Sequence, residues 1–271
     1  MKVRNVAIVS KPKQPKLAKV ARELAQWFAD KQIKANIDPT QEVALGADLA
    51  VVIGGDGTLL AAARLVGDCR IPILAINYGS LGFLTEVTLD QMYPALQSVL
   101  DDRFAIDDRM MMNLAVERGN NQIAFHRALN DVVINKGTVA RIIELEVRVD
   151  GQYVSSFRSD GLIVSTPTGS TAYNLSAGGP IIFPSMSAMI VTPICSHTLT
   201  NRPIVLPPDV KIETTLKSSQ NEVHVTVDGQ VGLPLETGDR VLIEKSDVVV
   251  KLIAPTDKNY FDVLRGKLKW G

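Results

Sequence analysis

An α/β domain followed by an all-β domain is the fold class that the sequence predicts, and three observations predict it. From residue 1 to about 105, short and uniformly apolar runs alternate with amphipathic segments, the pattern of a parallel sheet covered on both faces. Beyond Arg109 the segments read as strands, and pairs of turn residues separate them. Hydrophobic residues make up 46% of the 271, enough for a chain of this length to bury roughly three-quarters of its unfolded surface. The organisation is therefore a doubly wound α/β domain over 1–105 and an all-β domain over 106–271, with the C-terminal segment open to returning to the first domain.

In the first domain, Val3–Val9 reads as a buried strand. Leu17–Asp30 reads as a helix with Leu17, Val20, Leu24, Trp27 and Phe28 on one face. Asp48–Ile53 is a second apolar strand, Thr58–Val66 a helix, Ile71–Ile76 a third strand and Met92–Leu100 a further helix. In the second domain the strand candidates are Leu114–Glu117, Gln122–His126, Asp131–Asn135, Ile142–Val149, Leu162–Ser165, Lys211–Leu216, Glu222–Val227 and Arg240–Glu244. Gly119-Asn120-Asn121, Asp150-Gly151, Asp228-Gly229 and Thr237-Gly238-Asp239 mark turns between them. Ile142–Val149 alternates apolar and charged residues, as a strand with one wet face does. Helical pattern returns only at Asn174–Ala177 and Asn259–Leu264.

Charge and composition narrow the function. With 29 basic and 29 acidic residues the formal charge is zero, which removes the basic surplus of a protein that coats nucleic acid. Cys69 and Cys195 stand far apart, and His126, His197 and His224 are scattered, so neither a disulfide framework nor a zinc site is indicated. The most apolar stretch, Pro180–Cys195, is broken by Pro184 and Pro193 and is too short to span a bilayer. The N-terminus runs directly into a strand without an apolar signal region, so the expected location is cytoplasmic, with no membrane and no nucleic-acid partner.

Three glycine-rich segments are candidates for carrying chemistry, although the second, Asn77–Leu84, taken alone suits a structural loop better. Gly54-Gly55-Asp56-Gly57-Thr58 lies between an apolar strand and a helix, where open α/β sheets bind ligands. Clustered glycines let backbone N–H groups approach phosphate oxygens, and the helix N-terminus favours negative charge. Leu60 breaks a dinucleotide fingerprint, and no Gly-Lys-Ser/Thr follows to make a P-loop. A carboxylate inside a phosphate cradle needs its own reason. Asp56 can accept a proton from an attacking hydroxyl, hold a metal ion, or simply cap the helix. Asn77–Leu84 occupies the equivalent place after the next strand, so the two loops can face each other. Pro167–Pro180 is dense in glycine and small hydroxyl residues with one aromatic, which suits hydrogen bonding and stacking to a nucleotide as well as a plain surface loop. Asn130-Asp131, Arg141 and Phe157–Gly161 add polar groups at strand edges that spacing alone does not elevate.

Together these motifs resemble the NAD kinase family. The first matches its Gly-Gly-Asp-Gly loop, which diacylglycerol and sphingosine-type lipid kinases share. Pro167–Pro180 matches the family's more specific second motif, and Asn77–Leu84, Asn130-Asp131 and Phe157–Gly161 follow in the family order. The resemblance implies an N-terminal Rossmann-like α/β domain and a C-terminal all-β domain that serves NAD binding and oligomerisation. It implies transfer of the γ-phosphate of ATP to the 2′-hydroxyl of the adenosine ribose of NAD, with a divalent metal such as Mg²⁺ whose ligands it leaves unknown. It makes Asp56 the general base, Gly54, Gly55, Gly57 and Thr58 the phosphate loop, and Gly57 a substrate contact as well. Asn130 and Asp131 would hold the adenosine part. Asp160 with Thr171, Ala172, Tyr173, Asn174, Leu175 and Ser176 would line the rest of the pocket, joined by Arg141, Arg158 and Gln230. Arg158 resembles the arginine of members that prefer NAD to NADH, and a homodimer or homotetramer is implied. A lipid kinase would need an acyl pocket and a membrane-binding surface, neither of which the sequence displays. A dinucleotide sensor would have no use for the base.

Overall fold

The computed structural model describes residues 2–11, 14–67, 70–79, 82–137, 142–198, 200–218, 222–254 and 260–270. Four strands build the first sheet: β1 (Asn5–Ser10), β2 (Lys34–Ile37), β3 (Leu49–Gly54) and β4 (Pro72–Asn77). They lie in the order β2-β1-β3-β4, and every pair is parallel. All six residues of β3 are buried, as a strand covered on both faces requires. Helix α1 (Pro15–Ala29) starts on a proline, whose missing N–H costs nothing in a first turn. Its buried residues Leu17, Ala21, Leu24 and Phe28 form one stripe packed with Val6, Ile8 and Val51 of the sheet. Burial of each large side chain contributes roughly 1.5–3 kcal/mol. Helix α2 (Gln41–Leu45), helix α3 (Asp56–Val66), a two-residue strand β5 (Val87–Thr88) beside β4, and helix α4 (Met92–Leu100) complete this part. β2, α2 and β5 lack a clear sequence signal because they are short and half exposed.

The strands that follow are antiparallel. β6 (Ala105–Arg118) and β7 (Asn121–Ala128) form a hairpin whose turn holds Gly119 at φ +60°. Next come β8 (Asp131–Lys136), β9 (Ile143–Val149) and β10 (Gln152–Ser159), the last two joined through Asp150 and Gly151, both at positive φ. That conformation fits the twist of a tight hairpin. β11 (Gly161–Ser165), a single helical turn α5 (Tyr173–Ser176), β12 (Met189–Ile194), β13 (Ile204–Leu206), β14 (Ile212–Leu216), β15 (Val223–Val227) and β16 (Val231–Leu235) follow. One sheet runs β13-β12-β11-β8-β15-β16. In the other, β10 pairs β9, which pairs β14. Val132, Ile134, Leu162 and Val164 from the first sheet meet Leu145, Val147 and Ile212 from the second in one apolar core. Side chains alternate along a strand. Val133 and Ile163, between those core residues, therefore sit on the opposite face, where they pack with Ile194 and Ala177.

Strand β17 (Arg240–Ala254) first pairs antiparallel with β14 and ends with Lys251 and Leu252 parallel to Pro72 and Ile73 of β4. Helix α6 (Tyr260–Leu268) closes the chain. Residue contacts accordingly divide the chain into Met1–Asp108 with Val248–Gly271, and Arg109–Asp247. The second unit thus stops at Asp247 instead of running to residue 271. The physical reason is the run Val248-Val249-Val250-Lys251-Leu252-Ile253-Ala254, which satisfies its backbone as one more strand of the parallel sheet. Among the described residues no helix is long and apolar enough to cross a membrane.

Candidate active site

In the first unit, the Gly54–Thr58 loop leaves the carboxyl end of β3, and Asp56 is the first residue of α3. Gly54 is required by packing, since a Cβ there would overlap the Thr58 hydroxyl, whereas Gly55 faces open space. The Asp56 carboxylate turns to the segment after β4. Its Oδ2 accepts the Phe83 N–H at 2.8 Å, and its Oδ1 accepts the Leu84 N–H at 3.2 Å and the Thr85 hydroxyl at 3.1 Å. A Cβ on Gly82 would overlap that carboxylate, so only glycine lets the two loops approach this closely. Residues 80 and 81 of the second loop lie outside the described residues. Asn77 completes the arrangement, donating from Nδ2 to Thr85 Oγ1 at 2.7 Å and to the Thr85 carbonyl at 3.2 Å. A carboxylate offers about four acceptor positions. Three are taken among the described residues, and the remaining one is on Oδ2.

In the second unit, a cavity of about 310 Å³ lies on the face of β8 turned away from the core. Asn130, Asp131, Val133, Asn135, Ala172 and Tyr173 line it, with Thr226, Asp228 and Gly229 from β15 and the turn after it. Asn130 and Asp131 are held from two sides. The Asp228 carboxylate accepts the N–H groups of Leu129, Asn130 and Asp131 at 3.2, 2.8 and 3.3 Å. From the other side, Thr166 donates its hydroxyl to Leu129 O at 2.6 Å and its N–H to Asn130 O at 2.9 Å. Gly169 packs flat against the Asn130 backbone, with no room for a Cβ. The Asn130 Oδ1 is buried without a hydrogen-bond partner among the described residues, and so is the Thr168 hydroxyl. Buried polar atoms normally have partners, so an orphan acceptor at a cavity wall suits a ligand that donates. Burial, and then repulsion from Asp228, push the Asp131 carboxyl from an ordinary 3.8 to about 7.

The remaining expected residues divide. Tyr173 stands exposed at the cavity lip, where its ring can stack on a ligand. Asn174 is not part of this cavity's lining. It is fully buried, donating to Ser170 O and Pro180 O at 3.1 and 3.0 Å and accepting the Thr192 hydroxyl at 2.7 Å. Its side chain thereby ties the Pro167–Pro180 run to β12. Thr171 donates to Thr168 O at 3.4 Å, and Leu175 and Ser176 lie outside the cavity lining. Asp160 pairs with Lys136 at 2.8 Å, at the far end of β8 from Asp131 and about 17 Å away along the strand. Arg158 is exposed and lines no part of the cavity. Gln230 is exposed in the turn after Gly229, its N–H donating to Val227 O at 3.0 Å. Arg141 lies outside the described residues. Sequence reasoning passed over Thr85 as a partner of Asp56 and Asn77 as a partner of Thr85, and read Asp228 only as a turn residue. No cluster of three or more His, Cys, Asp or Glu suited to a metal ion exists among the described residues.

Comparison with known proteins agrees across the chain. The model of the ATP-NAD kinase N-terminal domain matches residues 38–104, and that of the ATP-NAD kinase C-terminal domain matches residues 129–254. The chain is 49% identical to the NAD kinase of Citrifermentans bemidjiense and 47% identical to that of Geobacter sulfurreducens, covering 99% of each sequence in both cases. Yeast NADH kinase complexed with NADH superposes with a TM-score of 0.87 at 26% identity, over 100% of this chain and 89% of that one. An NAD kinase from Archaeoglobus fulgidus in complex with ATP gives 0.80 at 26%, over 98% of both.

Proposed function

The chain belongs to the NAD kinase family, and from that membership we propose the roles of its residues. The enzyme transfers a phosphoryl group from ATP to NAD, at the 2′-hydroxyl of the adenosine ribose, and makes NADP. Asp56 is the general base. The observation that carries this role is its carboxylate at the carboxyl end of β3, oriented by three donors, with one acceptor position not taken among the described residues. A ribose hydroxyl is a poor nucleophile at neutral pH, and a carboxylate in hydrogen-bond reach takes its proton as the bond to phosphorus forms. Gly55, Gly57 and the start of α3 receive phosphate oxygens.

The adenosine part of NAD rests on Asn130 and Asp131. The orphan Asn130 Oδ1 accepts from it, and the exposed Tyr173 ring stacks beside it. Asp160, at the other end of β8, belongs to the more distant part of a long ligand, as does Arg158, whereas Gln230 follows Gly229 at the Asp131 end and belongs with the adenosine part. A divalent metal such as Mg²⁺, held mainly by substrate phosphates and water, belongs to the same reading. Exposed Ile123 and Phe125 on β7, and Tyr153 and Val154 on β10, support a homodimer or homotetramer formed through the β unit. A cytoplasmic setting, with ATP and NAD at hand, belongs to the same reading.

The test is formation of NADP from NAD, ATP and magnesium, coupled to an NADP-specific dehydrogenase. Asp56→Asn is expected to lose about 10²–10⁴ of the rate. A folded Asp56→Asn enzyme keeping more than about a tenth of wild-type turnover removes the base role.

A further inference from the structure

We propose that Thr85 is a positioning residue for phosphoryl transfer, and that Asn77 aims its hydroxyl proton at Asp56. The proposal deepens the reading of Asp56 as base and rests on it. Asn77 is 3% exposed and Thr85 fully buried, so neither side chain is placed for solvent. The direction of the hydrogen bonds is determined by chemistry. The Thr85 carbonyl only accepts, so the Asn77 side-chain atom facing it at 3.2 Å is the amide nitrogen. That same nitrogen lies 2.7 Å from Thr85 Oγ1, which therefore accepts from Asn77. The one hydroxyl proton of Thr85 is left for Asp56 Oδ1, 3.1 Å away.

The consequence is a carboxylate held in one rotation. Thr85 and the Leu84 N–H occupy Oδ1, the Phe83 N–H occupies one side of Oδ2, and the last position on Oδ2 is where an incoming hydroxyl donates. Lys267 of α6 lies over the Phe83 ring, 5.7 Å from its centroid. Without the Thr85 hydroxyl, Oδ1 keeps only the Leu84 N–H at 3.2 Å, the longer of the two backbone bonds to the carboxylate, and the carboxylate can rotate. The loss falls on the step that needs alignment, not on ground-state binding of NAD, whose proposed contacts lie on other residues.

Thr85→Val keeps the shape and removes the hydroxyl, Thr85→Ser restores it, and Thr85→Ala, which cannot overpack, is measured beside them with a thermal melt of each. The expected result is a kcat lower by about ten- to a hundredfold in Val and Ala, with the KM for NAD within about twofold and Ser close to wild type. In an Asp56→Asn background the same Thr85→Val change is expected to lower the residual rate no further, because there is no base left to position. A purely structural Thr85 would lower both. Wild-type kcat in folded Thr85→Val or Thr85→Ala, no rescue by Ser, or an equal loss in the Asp56→Asn background each overturn the proposal. Failure of the base reading is separate: it appears in Asp56→Asn alone, as retained turnover. An inactive Asp56→Asn beside a fully active Thr85→Val overturns the positioning role and leaves the base standing.

Discussion

Replacing Asp228 by Asn is expected to flatten the fall in stability that the second unit undergoes between pH 4 and 7. Asp131 is 4% exposed and Asp228 is 7% exposed, and both carboxyls border the same cavity. Burial first, and Asp228 second, raise the Asp131 carboxyl from 3.8 to about 7. Below about pH 4 Asp131 is protonated whether the chain is folded or not, and the linkage contributes nothing. Between about 4 and 7 the folded chain keeps a proton that the unfolded chain has released, so stability is lost as the pH rises. Above about 7 the loss is complete and amounts to roughly 4 kcal/mol. Asp228→Asn removes the repulsion, the smaller cause, so it recovers no more than about 2 kcal/mol of that slope. Both tryptophans, Trp27 and Trp270, belong to the first unit, so fluorescence would miss the effect. Amide hydrogen exchange of β8 and β15 against pH reports it directly. Parallel curves for the two proteins would refute the coupling, and a flat wild-type curve would refute the raised Asp131.

Gly82→Ala puts a methyl group where the Asp56 carboxylate and the Thr85 hydroxyl now sit, and kcat is expected to fall about tenfold or more with an unchanged melt; full activity would mean the two loops separate in the working enzyme. Gly169→Ala is expected to push the Pro167–Pro180 run off the Asn130 backbone and to raise the KM for NAD more than it lowers kcat, read from the coupled assay. Asn174→Ala removes three buried hydrogen bonds and leaves the Thr192 hydroxyl unpaired. It should cost about 2–4 kcal/mol, seen as faster hydrogen exchange in β12, and a neutral result would refute the structural role of its side chain.

Much of the first unit is legible in the sequence because its signals are local and strong. Six uniformly buried residues mark β3, and the stripe Leu17, Leu24 and Phe28 marks α1. The helix after β3 begins at Asp56 and not at Thr58, which makes the carboxylate part of the first turn. β10, β12, β13 and β16 are hard to see in the sequence. β10 carries exposed residues on both faces along its first half, and β16 includes Gly232 and Pro234, residues that argue against a strand. Pro193 sits inside the buried strand β12, where tertiary packing overrides its usual role as a breaker.

The site divides along the same line. Asp56, Asn130, Asp131 and Tyr173 stand out by residue type within their motifs, and a resemblance can carry them by position. Asn174 belongs to the same motif, yet its amide is spent within the protein, which only the approach of Pro180 and Thr192 decides. The sequence by itself determined the class of the fold, the order of its elements and the glycine loops, because periodicity and turn chemistry act over a few neighbouring residues. Tertiary structure alone decided that Thr85 meets Asp56, that Asp228 raises Asp131 across 97 residues of chain, and that the last strand returns to β4. Hydrogen bonds and charges act through space over a few ångströms, and separation along the chain carries no record of them.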